Sequence, residues 1–110
     1  MALARRTPLK MLPTLAGFAR ARSRTLGITL STYFGILLWN YSQAPRKMKP
    51  EPAAAAFARV HVPCSVRAQV WGVTRDHIAK SGLSANSLVE ALVAEDRAVP
   101  GSGLWIRARV

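Results

Sequence analysis

Between Arg24 and Arg46 the chain carries no charged side chain, a run of twenty-one residues from Thr25 to Pro45. Wound as one α-helix at about 1.5 Å per residue, such a run reaches roughly 30 Å, the thickness of a bilayer's hydrocarbon core. The sequence therefore predicts a mainly α protein, with a single-pass transmembrane helix over residues 25–45 and a small helical and extended C-terminal segment behind it. Gly27, Ser31 and Gly35 recur every four residues, which on one helix gives a face of small side chains for a second helix to approach. Trp39 and Tyr41 stand where amphipathic rings would meet the headgroups. No ionisable side chain interrupts the run, so it lacks the groups from which proton relays and ion paths are built.

Charge gives this span a direction. The net charge is +11, and it is uneven: residues 1–50 hold nine Lys and Arg with no acid, and residues 51–110 hold seven against five acids. Arg20, Arg22 and Arg24 on one side and Arg46, Lys47 and Lys49 on the other are expected at the membrane interface, where anionic phospholipid would attract them. The bias toward the N-terminal side places that end in the matrix and the C-terminus in the intermembrane space, by the positive-inside rule. Residues 1–24, rich in Arg and Ala and free of acids, resemble a mitochondrial targeting segment; the plainer reading is a basic arm lying on lipid. Leu9, Leu12, Leu15, Ala16 and Ala19 fall near one helical face, with Pro8 and Pro13 limiting its regularity.

Residues 46–52 read as a proline-rich exit linker and residues 53–110 as a small helical segment. An alanine-rich turn over 53–59 is followed by β-branched Val60-His61-Val62. Apolar residues at helical spacing then run from Ser65 to the stop at Ser81-Gly82. Ser87-x-x-Glu90 has the pattern of a capping box ahead of Leu88, Val89, Leu92 and Val93, and Pro100-Gly101 closes that helix. The last seven residues alternate, as a strand or an extended tail laid on a partner would. The stretch from His77 to Arg97 resembles a helix-turn-helix with Gly82-Leu83-Ser84 as its turn. Its second helix, however, carries Glu90, Glu95 and Asp96 against Arg97 alone, a poor match to a phosphate-lined groove, and a plain helical hairpin is the expectation.

Little in the chain suggests catalysis. Cys64 is the single cysteine, so no intrachain disulfide forms. His61-x-x-Cys64 with Asp76 and His77 is the one grouping of metal-type ligands, and it falls short of a structural zinc set. There is no phosphate-binding glycine loop and no haem-attachment motif. No catalytic, cofactor or metal residues are assigned, and neither a cofactor nor a small-molecule substrate is expected. The expected role is a non-catalytic accessory subunit of a multisubunit complex in the mitochondrial inner membrane, a respiratory-chain complex or the ATP synthase, packed among other membrane subunits through Gly27, Ser31 and Gly35. Two alternatives remain: a membrane-tethered helix-turn-helix-like module that binds nucleic acid, and a bacterial single-pass envelope protein. Nucleic acid is the disfavoured partner, because the basicity lies outside the segment read as folded.

Overall fold

Two glycines set the frame of the molecule. Gly27 and Gly82 adopt φ of +71° and +76°, a left-handed conformation that costs glycine little and other residues more. Each ends a helix, and two residues after each a hydroxyl residue, Thr29 or Ser84, starts the next one. The computed structural model describes residues 4–50 and 59–98, the side chains of 4–8, 63, 65, 67 and 68 excepted. Within them the chain runs β1 (Ala4–Met11), α1 (Pro13–Leu26), α2 (Leu30–Gln43), β2 (Val60–Arg67), α3 (Ala68–Ser81) and α4 (Ala85–Ala98).

That order is one strand–helix–helix unit met twice. Adding 55 to the bounds of α1 gives those of α3, and adding 55 to the bounds of α2 gives those of α4. The local chemistry repeats at the same interval. The Thr32 amide donates to Thr29 Oγ1 at 3.1 Å and the Ser87 amide to Ser84 Oγ at 3.1 Å, satisfying N-terminal donors that the helix itself leaves orphaned. The Tyr33 amide donates to the Thr29 carbonyl and the Leu88 amide to that of Ser84, while the Gly27 and Gly82 amides donate to Arg24 and Ala79.

The two strands pair antiparallel, Ala4 opposite Arg67 through Met11 opposite Val60. Pro8 lies directly across from Pro63, and these residues are also 55 apart, so the approximate two-fold axis relating the units passes through this pair. The position tolerates proline for a definable reason. The Lys10 amide points away from β2 and donates to Asn86 Oδ1 at 2.6 Å. Antiparallel pairs alternate between inward- and outward-facing amides, so at Pro8 and Pro63, two residues along, no ladder donor is required.

The core lies between the units. Leu9, Met11, Val62, Cys64 and Val66 are buried on the inner face of the ribbon. Against them pack Leu15, Ala16 and Ala19 of α1, Tyr33, Phe34, Leu37, Leu38 and Tyr41 of α2, and Leu88, Val89, Leu92 and Val93 of α4. The stripes 33-34-37-38-41 and 88-89-92-93 have the spacing of one buried helix face. Helix α2 packs on β2 and α3 of the other unit, and α4 packs on β1 and α1. Each unit thus completes the other's core.

This architecture corrects the expected single-pass fold and its inner-membrane location. Among the described residues no helix is long and apolar enough to cross a membrane. The uncharged run is cut by Gly27, so α2 has only 14 residues and a length of about 21 Å, short of the roughly 30 Å required. Its side chains Tyr33, Phe34, Leu37, Leu38 and Tyr41 are buried in the core shared with the second unit. Of residues 1–24, expected as a basic arm, those described form β1 and most of α1. The helical hairpin expected in the second half is present as α3 and α4, but Ser84 caps α4 and Ser87 lies within its first turn. The alanine-rich turn at 53–58, the Pro100-Gly101 stop and the alternating tail lie outside the described residues.

Candidate nucleic-acid interface

The outer face of the β1–β2 ribbon follows from strand parity. Residues directly opposite in an antiparallel pair share a face, and successive residues alternate between faces. Leu9 and Val62 are an opposed pair and both are buried; Lys10 and His61 are the next pair and both are exposed. The register positions in step with Lys10 and His61 are Pro8 opposite Pro63, Arg6 opposite Ser65 and Ala4 opposite Arg67. Neither strand contains an acid.

Helix α4 holds the ribbon rigidly from beneath. Besides the Asn86 contact to the Lys10 amide, Glu90 Oε2 accepts from the Leu12 amide at 2.9 Å, just past the end of β1. Glu90 is only 1% exposed, and Arg59, at the start of β2, makes a two-pronged contact with it: Nε at 2.9 Å from Oε2 and Nη2 at 2.8 Å from Oε1. One carboxylate therefore ties the end of β1 to the beginning of β2. The fork geometry of guanidinium on carboxylate makes this a directional bond as well as a charge pair.

Further along α4, Asp96 Oδ2 accepts from Tyr33 Oη at 2.7 Å and from Arg22 Nε at 3.1 Å. The Tyr33 hydroxyl is pushed well above the ordinary tyrosine range, first by burial, then by its hydrogen bond to Asp96 and that residue's negative charge. Glu95 pairs with Arg46, whose guanidinium also stands 5.7 Å from the centre of the Tyr41 ring. All three acids of α4 thus face arginines supplied by other segments. The negative charge that argued against nucleic acid in the sequence is paired in the fold, buried at Glu90 and Asp96 and partly exposed at Glu95.

The residues singled out in the sequence are dispersed by the structure. Gly27 terminates α1, so it does not lie on α2 with Ser31 and Gly35, and a Cβ built on Gly35 would meet nothing within 4 Å. Arg20 and Arg24 are exposed on α1, Arg22 and Arg46 are engaged with Asp96 and Glu95, and Lys47 and Lys49 are exposed in the segment after α2. Tyr41 is buried, whereas Trp39 remains 45% exposed. His61 and Cys64 have opposite strand parity: the imidazole is on the outer face and the thiol is buried, its pKa pushed up to about 11 by burial. A cleft of about 340 Å³ between α1 and α4, lined by Leu12, Thr14, Leu15, Ala94, Arg97 and Ala98, brings no acid–base pair together.

Lys10, Asn86 and the Arg59–Glu90 pair belong to this candidate site, and reading the sequence did not single them out as site residues. The signal that could have led to the paired strands was the 55-residue repeat, which Gly27/Gly82, Thr29/Ser84 and Pro8/Pro63 mark. Comparison with protein-family models, with curated proteins and with solved structures finds no match.

Proposed function

We propose that this chain binds double-helical DNA by laying the outer face of the β1–β2 ribbon in the major groove. The observation that carries the reading is an exposed, acid-free antiparallel ribbon with Lys10 and His61 side by side on its outer face. Two strands about 4.8 Å apart, with their side chains, match a groove about 12 Å wide, and a two-stranded ribbon is one of the two elements this groove admits. Eight residues per strand give a length of about 26 Å, enough to follow several base pairs. A net charge of +11 favours a polyanion, and the internal pairing of Glu90, Glu95 and Asp96 removes acids from competition with phosphates.

The accessory-subunit role drew its support from a membrane span, and the described residues offer no such helix. The helix-turn-helix alternative supplies the right ligand class with a different reader, since the α3–α4 pair supports the ribbon. The test is fluorescence anisotropy of the full chain with a 30-base-pair duplex across a salt series. Binding should weaken steeply with salt, with about −0.9 added to the log–log slope per neutralised phosphate. Lys10→Glu should reduce affinity by at least roughly tenfold, the scale of losing a base or phosphate contact and gaining a repulsion. Absence of binding at low salt, or indifference to Lys10→Glu with helical content intact, would overturn the proposal.

A further inference from the structure

We infer that the duplex sequence this chain prefers is not a palindrome, an inference that rests on the ribbon being the DNA-reading element. A ribbon made of two identical units presents every outer residue twice about its axis and so matches a two-fold symmetric sequence. Here the axis passes through Pro8 and Pro63, and residues n and n + 55 are its related positions. On that rule Arg6 corresponds to His61 and Lys10 to Ser65. The symmetry of the backbone is not matched by the residues it carries.

The register states what stands at each end. Lys10 is opposite His61 at one end and Arg6 is opposite Ser65 at the other, each pair two residues from the axis. Arginine and lysine are the side chains that pair with guanine O6 and N7, serine accepts or donates to several bases, and a neutral imidazole offers one donor and one acceptor. Next to the axis, both Lys and Arg positions thus belong to β1, and their axis-related counterparts on β2 hold His61 and Ser65; farther out, Arg67 of β2 has Leu12 as its counterpart, a further mismatch. A guanine specified by Lys10 has no symmetry mate specified by Ser65, and the same is true of Arg6 and His61.

The residue types at the matching positions of α2 and α4 differ across the axis in the same sense. Asn86, which accepts from the Lys10 amide, corresponds to Ser31, and Glu90, which accepts from the Leu12 amide, corresponds to Gly35. The end of β1 is therefore anchored by contacts whose axis-related positions hold different chemistry. Fusion of the two units in one chain is what allows this divergence, because a homodimer would have to carry each substitution twice.

The experiment is selection of duplexes from a randomised pool by the full chain, followed by sequencing, with the complex's mass measured to count chains per footprint. The expected result is one chain on an enriched motif without two-fold symmetry. Inverting the half of that motif read at the Lys10 end should then cost about tenfold in affinity. The double variant His61→Arg, Ser65→Lys places Arg and Lys at both pairs of axis-related positions next to the axis, and it should select a motif that is two-fold symmetric over the bases those positions read and become insensitive to the inversion. Enrichment of a palindrome by the unaltered chain, or duplex binding with no motif enriched, would overturn the inference while leaving the ribbon reading standing. Duplex binding that persists unchanged in Lys10→Ala and Arg6→Ala would sink the ribbon reading itself.

Discussion

Removing the Glu90 carboxylate should come close to unfolding this protein, and the structure lets the size of the effect be worked out. Glu90 is buried, receives the Arg59 guanidinium on two oxygens and accepts the Leu12 amide. In Glu90→Ala the Arg59 charge, whose side chain is 13% exposed, keeps its desolvation and loses this partner; breaking a buried pair in this way costs about 3–5 kcal/mol. The Leu12 amide loses its acceptor at a further cost of about 1 kcal/mol or more. A total near 4 kcal/mol is a large part of the roughly 5–15 kcal/mol that holds a small domain together, and corresponds to a fall in Tm of at least about 15 °C. Glu90→Gln keeps an acceptor for the amide and should lose less, about 2–3 kcal/mol. The assay is urea unfolding followed by circular dichroism and tryptophan fluorescence, for Glu90→Ala, Arg59→Ala and the double variant. Since the second substitution removes a charge that the first has deprived of Glu90, the double variant should recover about 2 kcal/mol relative to the sum of the single losses. Additivity within about 0.5 kcal/mol would show that the pair is not coupled and would refute its role as the tie between β1 and β2.

Three other outcomes follow from the same coordinates. The Cys64 thiol has its pKa raised to about 11 in the folded state by burial, so its contribution is intact below the unfolded thiol value near 8.5–9 and is lost as pH rises from there to about 11. Urea titrations at pH 8, 9.5 and 11 should show a decline of which about 2 kcal/mol disappears in Cys64→Val, the remainder at the alkaline end belonging to the Tyr33 hydroxyl; an unchanged slope in that variant would contradict the assignment. Tyr33→Phe removes one of the donors to Asp96 Oδ2 while Arg22 remains, and should cost about 1–1.5 kcal/mol in thermal unfolding. Gly27→Ala forces a side chain into a backbone at φ +71° and should destabilise by about 1 kcal/mol, whereas Gly35→Ala, mid-helix with open space at the Cβ position, should stabilise by about 0.5–1 kcal/mol. Equal effects at the two glycines would contradict these separate roles.

Local chemistry was legible wherever a few neighbouring residues decide it. Ser81-Gly82 ends a helix because a left-handed cap needs glycine, and the paired apolar residues of α4 read as one buried face; both features stand in the structure. The uncharged run misled because hydropathy reports a preference to leave water and is silent on what replaces it. For Tyr33, Phe34, Leu37 and Leu38 the replacement is the other unit of the same chain. The break at Gly27-Ile28-Thr29 was visible, but its meaning depends on the matching break at Gly82-Leu83-Ser84, 55 residues on.

The ribbon shows the limit most clearly. Ala-Arg-Arg-Thr-Pro-Leu-Lys-Met has only a weak alternation and a proline, and one strand has no stability without a partner. Its partner is about fifty residues away, and the proline is tolerated because the register places it on the axis opposite Pro63. The acids of α4 are a parallel case: Glu90, Glu95 and Asp96 made that helix unfit for DNA on sequence grounds, and only the approach of Arg59, Arg46 and Arg22 shows them paired. By itself the sequence determined the helix stop at Gly82 and the apolar stripe of α4, which depend on contacts within a turn or two, while it read the cap of α4 three residues late. Tertiary structure decided the strand pairing, the two-fold axis and the face left open to a ligand, because each arises from residues far apart in the chain whose pairing no local preference encodes.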